Sequence, residues 1–199
     1  MKLRRWAWAV VLASASGVRA ETYTIDPDHS QVAFRIRHLV GKVSGRFSRF
    51  EGQFDYSEGK PAAWKAQATI DAASIDTNNK KRDDHLRAPD FFDAQRCPKM
   101  EFKSARVTDV NGNRAKLHGD LTMHCLTKPV ALDLEAGGVG KDPWGNMRAG
   151  FTATGKIDRK DFGINWNKVL DAGGAVLGDE VEIMIEIEGI MKSGASKKA

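Results

Sequence analysis

The stretch RDDHLRAPDFFD, Arg82 to Asp93, gathers four acids, a histidine and two arginines around Leu86, Phe91 and Phe92. Such a set suggests acid–base chemistry, with His85 as a base acting on a substrate or on a hydroxyl such as Ser74, Thr77 or Ser104. Catalysis needs the base aimed at its target, and the sequence neighbours Asp84 and His85 supply no such orientation by adjacency alone. The chain carries no GxSxG, no HExxH and no phosphate-cradling glycine loop. A second reading makes the stretch structural: Leu86, Phe91 and Phe92 plug an interior while Arg82, Asp83, Asp84 and Arg87 pair outside. In a third, Arg82, His85 and Arg87 meet the polar head of a ligand.

The remaining histidines are scattered. His118 and His124 share the side of AKLHGDLTMHC opposite Leu121 and Met123, so both are expected to face solvent, and no metal site is assigned. His29 and His38 flank the first clear strand. His38 is in phase with Phe34 and Ile36, where an inward polar group either meets a ligand head group or satisfies buried backbone.

The elements that must position these residues are strands. Period-two alternation, the mark of a strand with one dry face, runs through SQVAFRIRH with Val32, Phe34 and Ile36 inward. It continues with Trp64, Ala66, Ala68 and Ile70, then Met100 and Phe102, then Leu117, Leu121 and Met123. Val130, Leu132 and Leu134 follow, then Ala149, Phe151, Ala153 and Ile157, and finally Val181, Ile183, Ile185 and Ile187. GRFSRFEGQFDY breaks the pattern: Phe47 and Phe50 are three apart while Phe50, Gly52 and Phe54 keep period two. A bulge at Ser48 or Arg49 restores one inward face and bends the strand. About eight one-sided strands joined by short turns predict an all-β fold, an antiparallel barrel or a two-sheet sandwich, and the barrel also removes exposed edges. The one long stretch without alternation, residues 74–98, holds the opening motif. Its residues 80–93 are expected to contain a short helix stopped by Pro89.

Residues 1–20 read as a cleaved signal peptide: Lys2, Arg4 and Arg5, an apolar run too short to span a membrane, then small residues before a cut after Ala20. They hold four positive charges and no acid, so the formal charge of +5 falls to +1 for residues 21–199. Three lysines of the tail, residues 192–199, leave residues 21–190 at −2. That balance offers no clustered positive charge, and nucleic acid is not expected as a partner. Cys97 and Cys125 are the only cysteines. In an exported chain they form either a disulfide, limiting the unfolded chain by about 3 kcal/mol, or two buried thiols; a zinc site lacks the further ligands.

SIDTNNKKRDDHLRAPDFFDAQRCPKMEFKS, GDLTMHCLTKPVALDLE and MRAGFTATGKIDRKDFGI, in this order after HSQVAFRIRH, resemble the YceI family across residues 22–190. The one departure is Cys125, where the family pattern LTxxGxTKP has glycine. The resemblance implies an extended, eight-stranded, lipocalin-like antiparallel barrel over residues 21–191. It implies periplasmic proteins, often homodimers, which hold polyisoprenoids or similar amphiphilic lipids without a cofactor and are not established enzymes. A membrane would donate or accept the lipid. On that reading Phe34, Ile36, Phe54, Leu86, Phe91, Phe92, Phe102, Met123 and Phe151 line a channel, joined by Phe162, Ile164 and Trp166 of DFGINWN. His38, Arg82, His85 and Arg87 are the head-group candidates, and Cys97 and Cys125 the disulfide. Two other functions stay open: an enzyme using His85 on such a lipid, and an interaction barrel with no ligand.

Overall fold

The computed structural model describes residues 20–170 and 174–192. Residues 1–19 of the proposed signal peptide and nearly all of the basic tail lie outside the described residues. Eleven strands form one antiparallel sheet: β1 (Glu21–Ile25), β2 (Gln31–His38), β3 (Gly41–Phe47), β4 (Phe50–Tyr56), β5 (Lys65–Asp71), β6 (Ile75–Asp76), β7 (Lys99–Asn111), β8 (Arg114–Met123), β9 (Leu126–Lys141), β10 (Met147–Asp158) and β11 (Leu177–Met191). One helix, α1 (Lys80–Arg87), lies between β6 and β7.

Two pairs of strands are really single long strands interrupted once. β1 and β2 are separated by the turn at Pro27–His29, and β3 and β4 by Ser48 and Arg49. The second break is the bulge the phenylalanine spacing requires. Counted this way, and with the two-residue β6 set aside, the barrel has eight staves, closed by the pairing of β11 with β1 and β2. β11 runs the full height: Val181–Glu186 pair with β2, Gly189–Met191 with β1, and its other edge with β10.

The alternation read from the sequence matches the observed interior. Met100, Leu117, Met123, Leu132, Leu134, Ala149 and Ala153 are buried, and the intervening charges face water. Inward glycines let aromatic rings lie flat on neighbouring strands. A Cβ on Gly45 would come within 2.6 Å of the Phe34 ring, and one on Gly119 within 2.7 Å of the Phe102 ring.

The barrel is incomplete on one side. β4 continues the sheet into β5, but β3 pairs beyond β2 only with the two residues of β6, at Arg46–Asp76 and Phe47–Ile75. Helix α1 and the turns after it pack beside this short pairing. Asn79 caps α1 by accepting the Arg82 N–H at 3.1 Å, and Pro89 follows one residue after the C-cap Ala88. Arg87 clamps the helix down, donating to the carbonyls of Ala73 and Ile75, each at 2.8 Å. The disulfide between Cys97 and Cys125 is formed, tying the end of this segment to the β8–β9 turn.

Candidate functional site: an apolar channel

The interior is not filled. A cavity of about 260 Å³ runs inside the barrel, with walls that are almost wholly apolar. Packed cores have few voids larger than a water molecule, and an apolar cavity of about 150 Å³ already stays dry and accepts a benzene ring. Along β11 the wall extends from Leu177 to Ile187. Ten residues at roughly 3.3 Å each make that about 33 Å of strand. The wall is therefore long, and nearly all of the surface it presents is unable to hydrogen-bond water.

One end is stoppered by five aromatic rings. Tyr23 stacks on Phe54 at 5.2 Å, and Phe151 meets Phe54, Tyr56 and Trp64 edge-on at 5.0–5.6 Å. The Trp64 indole N–H donates to the Ser57 carbonyl at 2.8 Å, so the plug buries its polar handle satisfied. Burial pushes the phenols of Tyr23 and Tyr56 above their usual pKa. At the other end the wall reaches Ile36, Val43 and Leu177, beside the β2–β3 turn.

Ten of the twelve residues expected along the channel lie in its wall: Phe34, Ile36, Phe54, Leu86, Phe91, Phe92, Phe102, Met123, Phe151 and Ile164. Phe162 and Trp166 do not. Phe162 is fully buried behind the wall, and Trp166 packs against Phe91 at 5.2 Å. The break comes from the 3-10 turn at Arg159–Phe162, which ends the period-two register that put Phe162, Ile164 and Trp166 in phase.

The charged residues of the opening motif divide differently from the expectation that they pair outside. Asp84 does so, with Lys80 at 2.7 Å and Arg87 at 3.0 Å. Asp83 is instead 6% exposed, its carboxylate accepting the Thr77 N–H at 2.9 Å and the Thr77 hydroxyl at 2.5 Å. Helical spacing explains the correction: Asp83 and Asp84 are 100° apart around α1, so one turns inward when the other faces water. Arg82 lines the cavity and donates from Nε to Thr77 Oγ1 at 2.7 Å and from Nη2 to the Thr77 carbonyl at 2.8 Å. Thr77 thus joins Arg82 and Asp83 in one network at the wall.

His85 lies outside the cavity lining. Its ring meets Phe91 and Trp166 edge-on at 4.9 and 5.2 Å, and Nε2 lies 3.3 Å from Asp90. His38 ends β2 opposite Leu177, half-buried and outside the cavity lining. His118 bonds to Thr108 Oγ1 at 2.8 Å. His124 corrects a strand assignment: it and Cys125 form the two-residue turn after Met123 rather than continuing β8, and His124 Nδ1 bonds the Phe162 carbonyl at 2.8 Å.

Sequence reasoning missed Arg159. It is 3% exposed and lines the cavity, donating to the carbonyls of Gly178, Ile164 and Trp166 and to Asp179. Every donor it brings inward has a partner, which makes it a brace for the irregular 159–166 segment. Its only sequence signal is the RKDF turn following a strand.

A YceI-like domain model matches residues 23–189. The chain belongs to the YceI family. Protein YceI of Escherichia coli O157:H7 is 41% identical over 188 residues, covering 93% of this chain and 95% of that protein. Among solved structures, BcnA of Burkholderia cenocepacia has a TM-score of 0.73 at 26% identity, over 82% of this chain and 98% of BcnA. A polyisoprenoid binding domain from Saccharophagus degradans shares the fold, with a TM-score of 0.65 at 14% identity over 87% of this chain and all of that domain. Cys125 has φ 59° and His124 φ 52°, so both turn residues hold a left-handed backbone that glycine adopts without strain. Cysteine accepts that conformation here while bonded to Cys97.

Proposed function

We propose that this protein is an exported carrier that sequesters a long-chain amphiphilic lipid, a polyisoprenoid, an isoprenoid quinone or a similar molecule, in the barrel channel. The observation that carries this reading is the long apolar cavity, closed by aromatics at one end and approached at the other beside His38. At about 150 Å³ for the six carbons of benzene, the 260 Å³ cavity takes about ten carbons of a tail, which at roughly 0.8 kcal/mol per buried methylene gain about 8 kcal/mol gross before ordering costs. Burial of that part of the tail supplies much of the holding, and the closed end sets the length accepted. His38 at the end of β2 and Arg82 in the wall are the head-group contacts this reading keeps, Arg82 through Nη1, since its Nε and Nη2 already donate to Thr77; all three side-chain nitrogens of Arg87 are engaged with Ala73, Ile75 and Asp84.

The polyisoprenoid class is supported by the shared fold of the Saccharophagus degradans domain and by the chemistry of the wall. Export to the periplasm is supported by the signal-peptide pattern and by the Cys97–Cys125 disulfide, a bond that persists in oxidising compartments. No helix among the described residues is long and apolar enough to cross a membrane. Function on this reading is binding and release without turnover, and His85, packed between Phe91 and Trp166, does not face the channel.

The test is to purify the protein without detergent, extract it with organic solvent and analyse the extract by mass spectrometry. A stoichiometric prenyl or similar lipid is expected. Protein that is consistently empty and also fails to bind added prenyl lipids overturns the proposal.

A further inference from the structure

A lipid held in a closed barrel has to enter it, and the open end carries features that a soluble surface does not need. Beyond the wall residues Ile36, Val43 and Leu177 stand two hairpin tips. One is the β2–β3 turn, Leu39 and Val40; the other is the hairpin closed by the Val169–Ala175 bridge, with Val169 and Leu170 near its tip. All four side chains are exposed, Val40 fully and Val169 by 77%. The tips are bonded edge to edge: the Leu39 N–H donates to the Val176 carbonyl at 2.8 Å, and the Val176 N–H to the Lys168 carbonyl at 3.0 Å. Asn167 fixes the base of the second hairpin through two hydrogen bonds with the Leu177 backbone. The four residues therefore form one held patch.

Leu39 adds an independent observation. Its φ is 52°, the left-handed conformation that a two-residue hairpin normally gives to glycine, asparagine or aspartate. Those residues would relieve the strain and suit water, yet the position holds an exposed leucine. Local rules broken without a local benefit point to a site that is used.

The charges around the patch lean one way. Glu182 is shared by Arg35 and Lys42, Asp179 is held by Lys160 outside and by the buried Arg159 inside, and Glu180 pairs with Lys156. Arg37 donates to the Leu39 carbonyl and has no carboxylate partner among the described residues. Lys168 follows at the base of the second hairpin. Apolar tips with an excess of surface cations beside them (Arg35, Arg37, Lys42, Lys156, Lys160 and Lys168 against Asp179, Glu180 and Glu182) match an anionic bilayer surface, where side chains enter the boundary between headgroups and tails and basic residues meet phosphates.

We propose that the tips at Leu39–Val40 and Val169–Leu170 dock the barrel on an anionic phospholipid membrane, setting the channel mouth against the bilayer from which its ligand enters. The inference rests on the carrier reading for its purpose but not for its test. The full chain is mixed with vesicles of phosphatidylethanolamine and phosphatidylglycerol at three to one and co-sedimented, beside the double variant Leu39→Asn, Val40→Ser. Neither residue lines the channel, and asparagine suits the backbone at 39, so thermal stability should not change. Vesicle partitioning is expected to fall at least tenfold in the variant, and wild-type binding to weaken on neutral phosphatidylcholine vesicles and at high salt.

Equal partitioning of the two proteins, or no wild-type partitioning, overturns the proposal. So does a variant whose only change, by light scattering, is loss of a dimer, since the patch would then meet a second copy. Protein that holds lipid yet ignores vesicles refutes the docking alone, whereas protein that binds vesicles through the tips but never yields a lipid refutes the carrier alone.

Discussion

Replacing Asp83 with alanine should damage this protein far more than replacing its neighbour Asp84. The Asp83 carboxylate is the acceptor for the backbone N–H and hydroxyl of Thr77, which is itself 6% exposed, and the hydroxyl in turn accepts from Arg82. Alanine leaves two buried donors without their partner, at about 1–3 kcal/mol each. Some of this is recovered if the hydroxyl turns elsewhere, so a net loss of about 3 kcal/mol is expected. For a chain of this size each kcal/mol moves Tm by roughly 2–4 °C, which makes the expected drop about 6–12 °C in a thermal melt followed by circular dichroism. Asp83→Asn keeps an acceptor oxygen and should recover much of the loss. Asp84→Ala removes only exposed pairs with Lys80 and Arg87 and should change Tm little. Because Thr77 and Arg82 stand in the channel wall, Asp83→Ala should also release bound lipid faster at temperatures where it remains folded. Equal melting shifts for Asp83→Ala and Asp84→Ala would refute the assignment of the inward face of α1.

Phe91→Ala with Phe92→Ala removes two rings from the channel wall and should shorten lipid retention during gel filtration, read as lipid per protein by mass spectrometry. Reducing the disulfide, or replacing both Cys97 and Cys125 with alanine, should lower unfolding stability by about 3 kcal/mol in urea titrations, with the β-sheet signature intact below the transition. Burial pushes the Asp142 carboxyl up, but hydrogen bonds from Asn146, Arg148 and the N–H groups of Asn146 and Trp144 prevail and hold it well below the usual carboxylate range. A carboxyl with a lowered folded pKa stabilises fully above its unfolded value, near 4, and loses that contribution as pH falls toward the folded one. The stability gap between wild type and Asp142→Ala should therefore be constant from pH 7 to about 5 and narrow below about 4, in melts across pH.

Much of the barrel was legible because its signals are local. A period of two tells which side of each strand is dry whatever that strand pairs with, so Phe34, Phe102 and Ile183 could be placed inward without knowing their neighbours. The bulge at Ser48–Arg49 was legible for the same reason, since a change of phase within one strand needs no partner to be noticed. The irregular segments were not. Phe162 and Trp166 share a period-two phase with Ile164, but the 3-10 turn at Arg159–Phe162 and the irregular chain after it, braced by Arg159, leave both outside the wall. Asp83 and Asp84 are the same residue type side by side, and only the docking of α1 against β6 decided which of them was buried.

By itself the sequence determined the strand faces, the one helical segment with its stop at Pro89, and, through three ordered motifs, the family. Covalent order and side-chain type suffice for these, because alternation and a helix stop act over a few residues. Only the tertiary structure decided that the barrel holds a cavity, that one end is plugged by Tyr23, Phe54, Tyr56, Trp64 and Phe151, and that four exposed apolar residues gather at the other. A filled core and a channel use the same inward residues; they differ in how far apart closure of the sheet holds the opposing walls, a distance no single strand contains.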